Sequence, residues 1–107
     1  MQTTNLSMLI KIYPPARSRI KEIWQYTKNL HGQKQADIYI RGLGETINGL
    51  YDNRPLWRQI EDSELNGIFF TRYEHHYIFF RELSGSIGII NILHEKMDIP
   101  SRLKNND

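Results

Sequence analysis

Side chains that can take part in acid–base or electrostatic chemistry are concentrated between residues 72 and 96. Arg72 and Arg81 stand within two segments rich in β-branched and aromatic residues, and His94, Glu95 and Lys96 directly follow a third. An imidazole with an unperturbed pKa of about 6.5 suits a general acid near neutral pH. A position just after an apolar segment equally suits a structural histidine hydrogen-bonded to the backbone, and we favour that role for His94.

The two arginines also have two interpretations. Near the ends of strands, Arg72 and Arg81 can concentrate positive potential on a concave face of a sheet. Alternatively they are solvent-facing charges paired with Glu74 and Glu82. We favour the paired interpretation, because exposed charges on strands usually serve solubility.

The sequence lacks the patterns that are typical of metal sites, phosphate-binding loops and Ser-His-Asp triads. His75 and His76 are adjacent in a predicted tight turn, so their side chains point apart, and no acidic or cysteine partner has ligand spacing. Gly42 and Gly44 fall in a predicted helix, whereas a phosphate-binding loop follows a strand. The chain has no cysteine and no Ser-His-Asp set with a local signature. We therefore predict neither a metal nor a cofactor.

Length and composition indicate one domain covering residues 1–107. An apolar content of 39% supplies one core, and 14 Lys and Arg against 12 Asp and Glu give a net charge of +2. That excess is too small to indicate nucleic-acid binding by itself, although a local basic patch stays open. The sequence has no signal peptide and no apolar run of about 18 residues, so we expect a cytoplasmic protein that does not enter membranes.

The elements that position these residues are predicted to be three antiparallel strands at residues 68–74, 77–82 and 87–93. All three are dense in β-branched and aromatic side chains. Only His75 and His76 lie in the first gap, as in a tight hairpin, and residues 84–86 form the second turn. A small sheet rarely stands alone in water, so something must cover one face.

The first half of the chain supplies that cover. Residues 6–13 predict a strand that joins the sheet edge, with Lys11 facing opposite to its apolar neighbours. Pro15 suits the first turn of a helix that Gly32 ends, and apolar spacing over residues 36–51 predicts a second helix. The short connection makes the two helices an antiparallel hairpin. The second predicted helix contains three glycines, Gly42, Gly44 and Gly49. Each lowers helix stability by about 1 kcal/mol relative to alanine, so either close packing compensates or the helix is only marginally stable.

The remaining segments complete an α+β fold. Residues 56–66 predict a loop in which Trp57 and Ile60 hold the chain to the core, and residues from Ser101 predict a last helical turn. The order is therefore β-α-α-β-β-β: an N-terminal strand, an antiparallel helical hairpin and a three-stranded antiparallel sheet. A helical hairpin across one face of such a sheet is a common solution.

Three segments, in this order, resemble the ParE branch of the ParE/RelE toxins of bacterial toxin–antitoxin pairs. They are residues 22–27 of the first helix, 76–81 of the middle strand and 89–98. The last is the most specific, since an apolar strand, Leu-His, two residues and Met-Asp resemble the ending of that family. The resemblance covers residues 9–103 and implies the ParE/RelE-like toxin fold.

The resemblance implies a protein that arrests growth when free and is neutralised by a ParD-like antitoxin. Members of the ParE type are associated with poisoning DNA gyrase, whereas RelE-type relatives cut messenger RNA on the ribosome. We expect the ParE activity, exerted by binding rather than by catalysis. DNA would then be contacted only through gyrase or the antitoxin. The resemblance does not decide whether the chain forms a homodimer.

Two surfaces are expected on this basis. The strand ends and the carboxyl-terminal segment would contact gyrase, through Arg72, Arg81, His94, Lys96, Met97 and Arg102. A groove between the hairpin and the sheet would receive the antitoxin, and its predicted residues are Trp24, Tyr26, Ile38 and Leu43. Trp24 has an alternative that we favour, which is packing between the hairpin and the sheet. Tyr26 and Ile38 lie off the main apolar stripes and are expected to be exposed, as partner surfaces are.

Two alternative functions stay open. The first is a RelE-type RNA endonuclease, whose catalytic candidates would be Arg72, Arg81, His94 and Lys96. RelE-type nucleases tend to carry a tyrosine or basic residues near the carboxyl end, and here no tyrosine follows Tyr77. The second is a non-toxic partner within a transcription-regulating complex.

Overall fold

The computed structural model describes residues 9–105. Its strands are β1 (Leu9–Ile12), β2 (Arg58–Gln59), β3 (Phe69–Tyr73), β4 (His76–Leu83) and β5 (Ser86–His94). Its α-helices are α1 (Pro14–His31), α2 (Gln33–Asn48) and α3 (Ile99–Asn105), and short 3-10 helices cover Tyr51–Leu56 and Ser63–Leu65. No helix in this part of the chain is long and apolar enough to cross a membrane.

The five strands form one sheet in the order β1-β5-β4-β3-β2. Neighbours are antiparallel except that β1 runs parallel to β5. The prediction that the N-terminal strand joins the sheet edge is therefore confirmed, although residues 6–8 of the predicted strand lie outside the described range. Ile10 and Ile12 pack towards the core and Lys11 is exposed, as the alternation predicted.

The helical hairpin covers one face of this sheet, as predicted. α1 has two prolines in its first turn and ends at Gly32, whose φ of 91° favours glycine. Leu43 and Ile47 of α2 pack with Ile78 and Ile89 of the sheet in the larger of two apolar clusters. The fold class is that of the predicted α+β arrangement.

The other face of the sheet is also covered, which the sequence analysis did not foresee. Leu65, Ile68, Phe79, Leu93 and Leu103 form a second apolar cluster. Its cover comes from the 3-10 helix at Ser63–Leu65 and from α3. Because both faces are covered, every residue of β5 except the last is buried.

Four boundaries differ from the prediction. The β3–β4 turn consists of Glu74 and His75, so His76 belongs to β4. The segment 56–66 contains the short strand β2, and Trp57 and Ile60 pack against the two clusters. α2 ends at Asn48 rather than near residue 51, and the predicted last turn is the seven-residue helix α3.

Close packing explains one of the three glycines in the second helix. A Cβ at Gly42 would lie 2.1 Å from the Tyr73 hydroxyl oxygen, so only glycine lets the tyrosine ring approach α2. Gly44 has no neighbour within 4 Å of an added Cβ, and the structure offers no reason for it. Gly49 lies at the end of α2 and not inside it.

A bulge in β5 sets the direction of the strand's last residues. Phe79 pairs with Asn91 and Phe80 with Ile89, so Ile90 is an extra residue in β5. Ile90 turns into the second cluster, and the buried Asn91 side-chain oxygen accepts a hydrogen bond from the Ile92 amide at 2.8 Å. Beyond the bulge the pairing is regular again up to the last residue of β5.

Candidate functional site: a histidine-lined groove

A groove of about 1130 Å³ lies between the helical hairpin and the end of the sheet where β3 turns into β4 and β5 ends. We call this space the groove. The hairpin lines it with residues that include Arg19, Tyr26, Ile38 and Tyr39, and the sheet end with His75, His76, His94, Lys96 and Met97.

Three imidazoles are brought together in the groove by strand pairing. His76, the first residue of β4, is the register partner of His94, the last residue of β5. Their rings lie 5.1 Å apart between centroids, and those of His75 and His94 lie 6.3 Å apart in a nearly parallel arrangement. The hairpin turn thus places a histidine doublet beside a histidine that is distant in sequence.

Each imidazole is held through its Nδ1 atom by a different partner. The Nδ1 atom of His75 lies 2.9 Å from a carboxylate oxygen of Glu95, and that of His76 lies 2.8 Å from the Tyr39 hydroxyl. The Nδ1 atom of His94 accepts a hydrogen bond from the Lys96 amide at 3.1 Å. This last contact is the backbone hydrogen bond that the structural interpretation of His94 predicted.

These partners determine what the rings can do chemically. A carboxylate only accepts hydrogen bonds, so the Nδ1 of His75 carries a proton, and its Nε2 is an acceptor when the ring is neutral. The Nδ1 of His94 accepts, so the proton of a neutral His94 is on Nε2. Two neighbouring rings, 6.3 Å apart between centroids, therefore carry one basic and one proton-bearing Nε2.

Burial makes His76 different from an exposed histidine. Loss of solvation, with smaller contributions from His94 and His75, lowers the pKa of His76 to about 4. Its ring is therefore neutral near pH 7. Burial also raises the pKa of the Tyr39 hydroxyl that contacts it, which keeps that group protonated.

Glu95 joins the turn to the end of β5. Its amide donates to the His75 carbonyl at 2.9 Å, and its carboxylate contacts both His75 and the Arg72 guanidinium. The hydrogen bond from His75, with the nearby charge of Arg72, lowers the pKa of Glu95. Arg72 also donates from Nε to the carbonyl of Glu74, whose φ of 52° is rare outside glycine.

The predicted charge pairs are therefore wrong in their partners. Arg72 pairs with Glu95 and contacts only the backbone of Glu74. Glu82 pairs with Arg54 of the 3-10 helix, and the ion pair lowers the pKa of Glu82. Arg81 is exposed and has no ion-pair partner among residues 9–105.

The structure brings together residues that were predicted for two separate surfaces. Tyr26 and Ile38 were assigned to the antitoxin and are 67% and 44% exposed, as expected. His94, Lys96 and Met97 were assigned to the target. All five line the same groove, because the hairpin extends over the end of the sheet.

The other predicted residues lie elsewhere. Arg81 is four residues along β4 from Tyr77, the partner of Arg72, so the two arginines are about 13 Å apart along the strand. Arg102 lies on α3 and does not line the groove. Leu43 is 1% exposed in the core and has no surface to offer a partner, so it is removed from the predicted antitoxin surface.

Trp24 takes neither of its predicted positions. It is half-buried, belongs to neither apolar cluster and does not line the groove. Its indole nitrogen donates to a carboxylate oxygen of Asp37 at 2.9 Å, and the Lys28 ammonium lies 5.0 Å from its ring centre. Trp24 therefore joins α1 to α2 on the side away from the groove.

The sequence analysis missed Tyr39, Arg19 and His76 as residues of the groove. It placed Tyr39 only within the apolar spacing of the second predicted helix, and it considered His76 only as a metal ligand. A turn placed one residue earlier would have paired His76 with His94 and revealed the cluster. Within residues 9–105 no three metal-binding side chains are placed to hold an ion.

The fold is shared with solved toxin structures. A structure described as the chromosomal ParDE toxin–antitoxin system from P. aeruginosa superimposes with a TM-score of 0.72 at 20% identity, covering 85% of this chain and 98% of the other. The toxin–antitoxin complex RelBE2 from Mycobacterium tuberculosis gives a TM-score of 0.61 at 13% identity, covering 80% of this chain and 88% of the other. The chain therefore has the ParE/RelE toxin fold.

Sequence comparison defines the family within this fold. The family model described as the ParE toxin of the type II toxin–antitoxin system parDE matches residues 10–99. Toxin ParE1 of Mycobacterium tuberculosis, from strains CDC 1551 and H37Rv, is 29% identical over 91 residues, which are 84% of this chain and 92% of the relative. The chain belongs to the ParE toxin family.

Proposed function

We propose that this protein is a growth-arresting toxin that binds and poisons DNA gyrase and that a ParD-like antitoxin neutralises it. The family match over residues 10–99 carries the proposal, because it includes all elements from β1 to β5 and the groove. Gyrase is proposed as the target because ParE-type toxins are associated with that enzyme. The fold alone does not choose a target, since one fold can host several activities.

The arrangement of charged residues supports action by binding. The four candidates for RNA cleavage do not converge on one point: Arg72 is neutralised by Glu95, and Arg81 stands far along the sheet. His94 has one ring nitrogen committed to the backbone. The exposed residues near the sheet end, among them Lys96 and Arg72, suit contact with a large partner.

The groove is proposed as the antitoxin site. Tyr26 and Ile38 expose apolar surface at its rim, and such surface on a protein usually marks a partner site. The P. aeruginosa and M. tuberculosis structures are described as a ParDE system and a toxin–antitoxin complex. An antitoxin helix lying in the groove would follow the common mode in which an amphipathic helix docks into a groove.

A supercoiling and cleavage assay on purified DNA gyrase tests the target. The full chain is expected to inhibit supercoiling or trap cleaved DNA, while messenger RNA on ribosomes stays intact in a parallel reaction. Arg72→Ala with Arg81→Ala is expected to weaken the inhibition. Lys11→Gln is the local control, because Lys11 is exposed on β1, shares the register partner Gly88 with Arg81 and was not predicted to contact the target. Full inhibition by the double variant would remove the arginines from the target surface. Gyrase that is untouched by the wild-type protein would contradict the proposal itself.

A second candidate is RNA cleavage at the histidine cluster. The observation that favours it is the pair of nearly parallel rings of His75 and His94, 6.3 Å apart between centroids. The first neutral ring offers an acceptor nitrogen and the second a proton-bearing one, as a general base and a general acid require. This candidate predicts that the protein cleaves RNA, that His75→Ala abolishes the cleavage, and that gyrase is unaffected. Growth without arrest when the antitoxin is absent would contradict both candidates and favour a non-toxic partner in a regulatory complex.

A further inference from the structure

The positive charge of the chain is concentrated on the helical hairpin. Residues 14–41 contain six Lys and Arg against two Asp and Glu, a net charge of +4, whereas the whole chain carries +2. The rest of the sequence is therefore net negative. A basic stripe along helices is the usual electrostatic footprint of nucleic-acid binding.

Five of these cations lie in two rows on exposed positions. Arg17, Lys21 and Lys28 follow one another along α1 at intervals of four and seven residues, which are about 6 and 10 Å. Lys34 and Arg41 are seven residues apart on α2, about 10 Å. We call these five residues the basic face.

The Trp24–Asp37 hydrogen bond places the two rows side by side. Trp24 lies between Lys21 and Lys28 on the same stripe of α1, and Asp37 lies between Lys34 and Arg41. Packed helices lie about 8–10 Å apart, so the rows form one surface. None of the five cations lines the groove, because the groove is lined by residues on other faces of the two helices.

The carboxylates of the hairpin offset only part of the basic face. Glu22 pairs with Arg19, whereas Asp37 accepts from the neutral Trp24 indole and keeps its charge, so the five cations together with Asp37 carry a net charge of +4. Among residues 9–105 no ion pair includes any of the five cations. Arg17 donates to the Ile12 carbonyl, a neutral acceptor, and keeps its charge.

We propose that the basic face binds the phosphate backbone of duplex DNA directly. A duplex presents one charge per about 1.7 Å of axis, so two rows of cations, about 16 and 10 Å long, meet several phosphates. Trp24 at the centre of the face is half-buried and bonded to Asp37, and Ile38, between Lys34 and Arg41, adds one exposed apolar side chain. A single exposed apolar side chain among five cations is too little for a membrane surface or an apolar protein interface. This activity is separate from the proposed gyrase target and leaves the groove free.

Fluorescence anisotropy of a labelled 20-base-pair duplex, titrated with the full chain between 50 and 200 mM KCl, tests the proposal. Binding is expected to weaken with salt at about 0.9 logarithmic units per phosphate contact. Lys21→Gln with Lys28→Gln, and separately Lys34→Gln with Arg41→Gln, should each reduce the slope by about 1.8 and weaken binding at 50 mM at least about tenfold. None of these side chains is buried, so the variants are expected to fold.

The matched control is Lys11→Gln with Arg58→Gln. It removes the same charge from two exposed strand residues away from the hairpin and should leave both slope and affinity within about twofold. Equal losses in the control and hairpin variants would mean a general charge effect and overturn the proposal. No binding of the duplex at 50 mM KCl, or binding only to vesicles of anionic phospholipid in a parallel titration, would overturn it as well.

Discussion

At the scale of single residues, Gly42 and Gly44 show how differently two glycines of one helix are used. An alanine at 42 forces the Tyr73 ring away, and that ring already packs edge-on against Tyr39 at 5.0 Å. Overpacking of this kind costs about 1–3 kcal/mol, so Gly42→Ala is expected to lower the urea midpoint of unfolding. Gly44→Ala meets open space and should raise stability by about 0.5–1 kcal/mol.

The two variants are each other's control, since both add one methyl group to α2. Stabilisation by both variants would mean that intrinsic helix propensity dominates and that the Tyr73 contact is unimportant. Combining Gly42→Ala with Tyr73→Ala should remove the clash, so the double variant should be less destabilised than the two single effects added together.

His76 predicts a pH dependence of stability at the same scale. Its pKa is about 4 in the folded protein against about 6.5 in an unfolded chain, so unfolding takes up a proton between these values. The stability linked to neutral His76 is fully present above pH 6.5 and is lost as the pH falls towards 4. The groups that face the ring are Arg19 from α1, Tyr39 from α2, and His75, His94 and Glu95 at the sheet end.

Denaturation at intervals between pH 7.5 and 4.5 measures this effect. His76→Gln is expected to flatten the decline, and His31→Gln, at the exposed end of α1, should retain it. An unchanged slope in His76→Gln would assign the decline to other groups. The carboxyls of Asp62, Glu82 and Glu95 have lowered pKa values and therefore lose their contribution at lower pH, below about 4.5.

At the scale of elements, α3 depends on the second core for its order. A helix of seven residues is not stable alone in water, and Leu103 is the buried residue that attaches it to the cluster containing Leu65. Leu103→Ala is expected to cost about 2–5 kcal/mol and to raise amide hydrogen exchange throughout α3. Lys104→Met is the control, because it removes only surface ion pairs to Asp62 and Glu64. Loosening of α3 by Lys104→Met but not by Leu103→Ala would mean that charge, not burial, holds the helix.

Elements with a strong periodic pattern were predicted correctly from the sequence. The apolar stripes of α1 and α2 and the dense strands around Phe79 and Ile89 are properties of neighbouring residues. The strand β2 and the second core were missed because a two-residue strand and a short terminal helix carry no periodicity. Their formation depends on contacts with distant residues such as Phe70, which pairs with Arg58.

At the scale of the whole molecule, the candidate site was harder to predict than the fold. Tyr26 and Ile38 were correctly expected at the surface, since each lies off its apolar stripe. That they share one groove with His94 follows from how far the hairpin extends past the sheet, which no local pattern records. The one-residue error in the β3–β4 turn hid His76 for the same reason, because strand register is a property of the assembled sheet.

The shared groove leads to a prediction about the whole molecule that rests on the proposed antitoxin. If the antitoxin lies in the groove, Tyr26→Ala and Ile38→Ala should each weaken its binding at least about tenfold in calorimetry, since buried aromatic and aliphatic anchors dominate interfaces. Folding should be unaffected, because both side chains are largely exposed. Leu30→Ala is the control: Leu30 is 58% exposed on the same hairpin but does not line the groove. Loss of binding in Leu30→Ala with normal binding in the other two would place the antitoxin at the hairpin tip and leave the histidine cluster open in the complex.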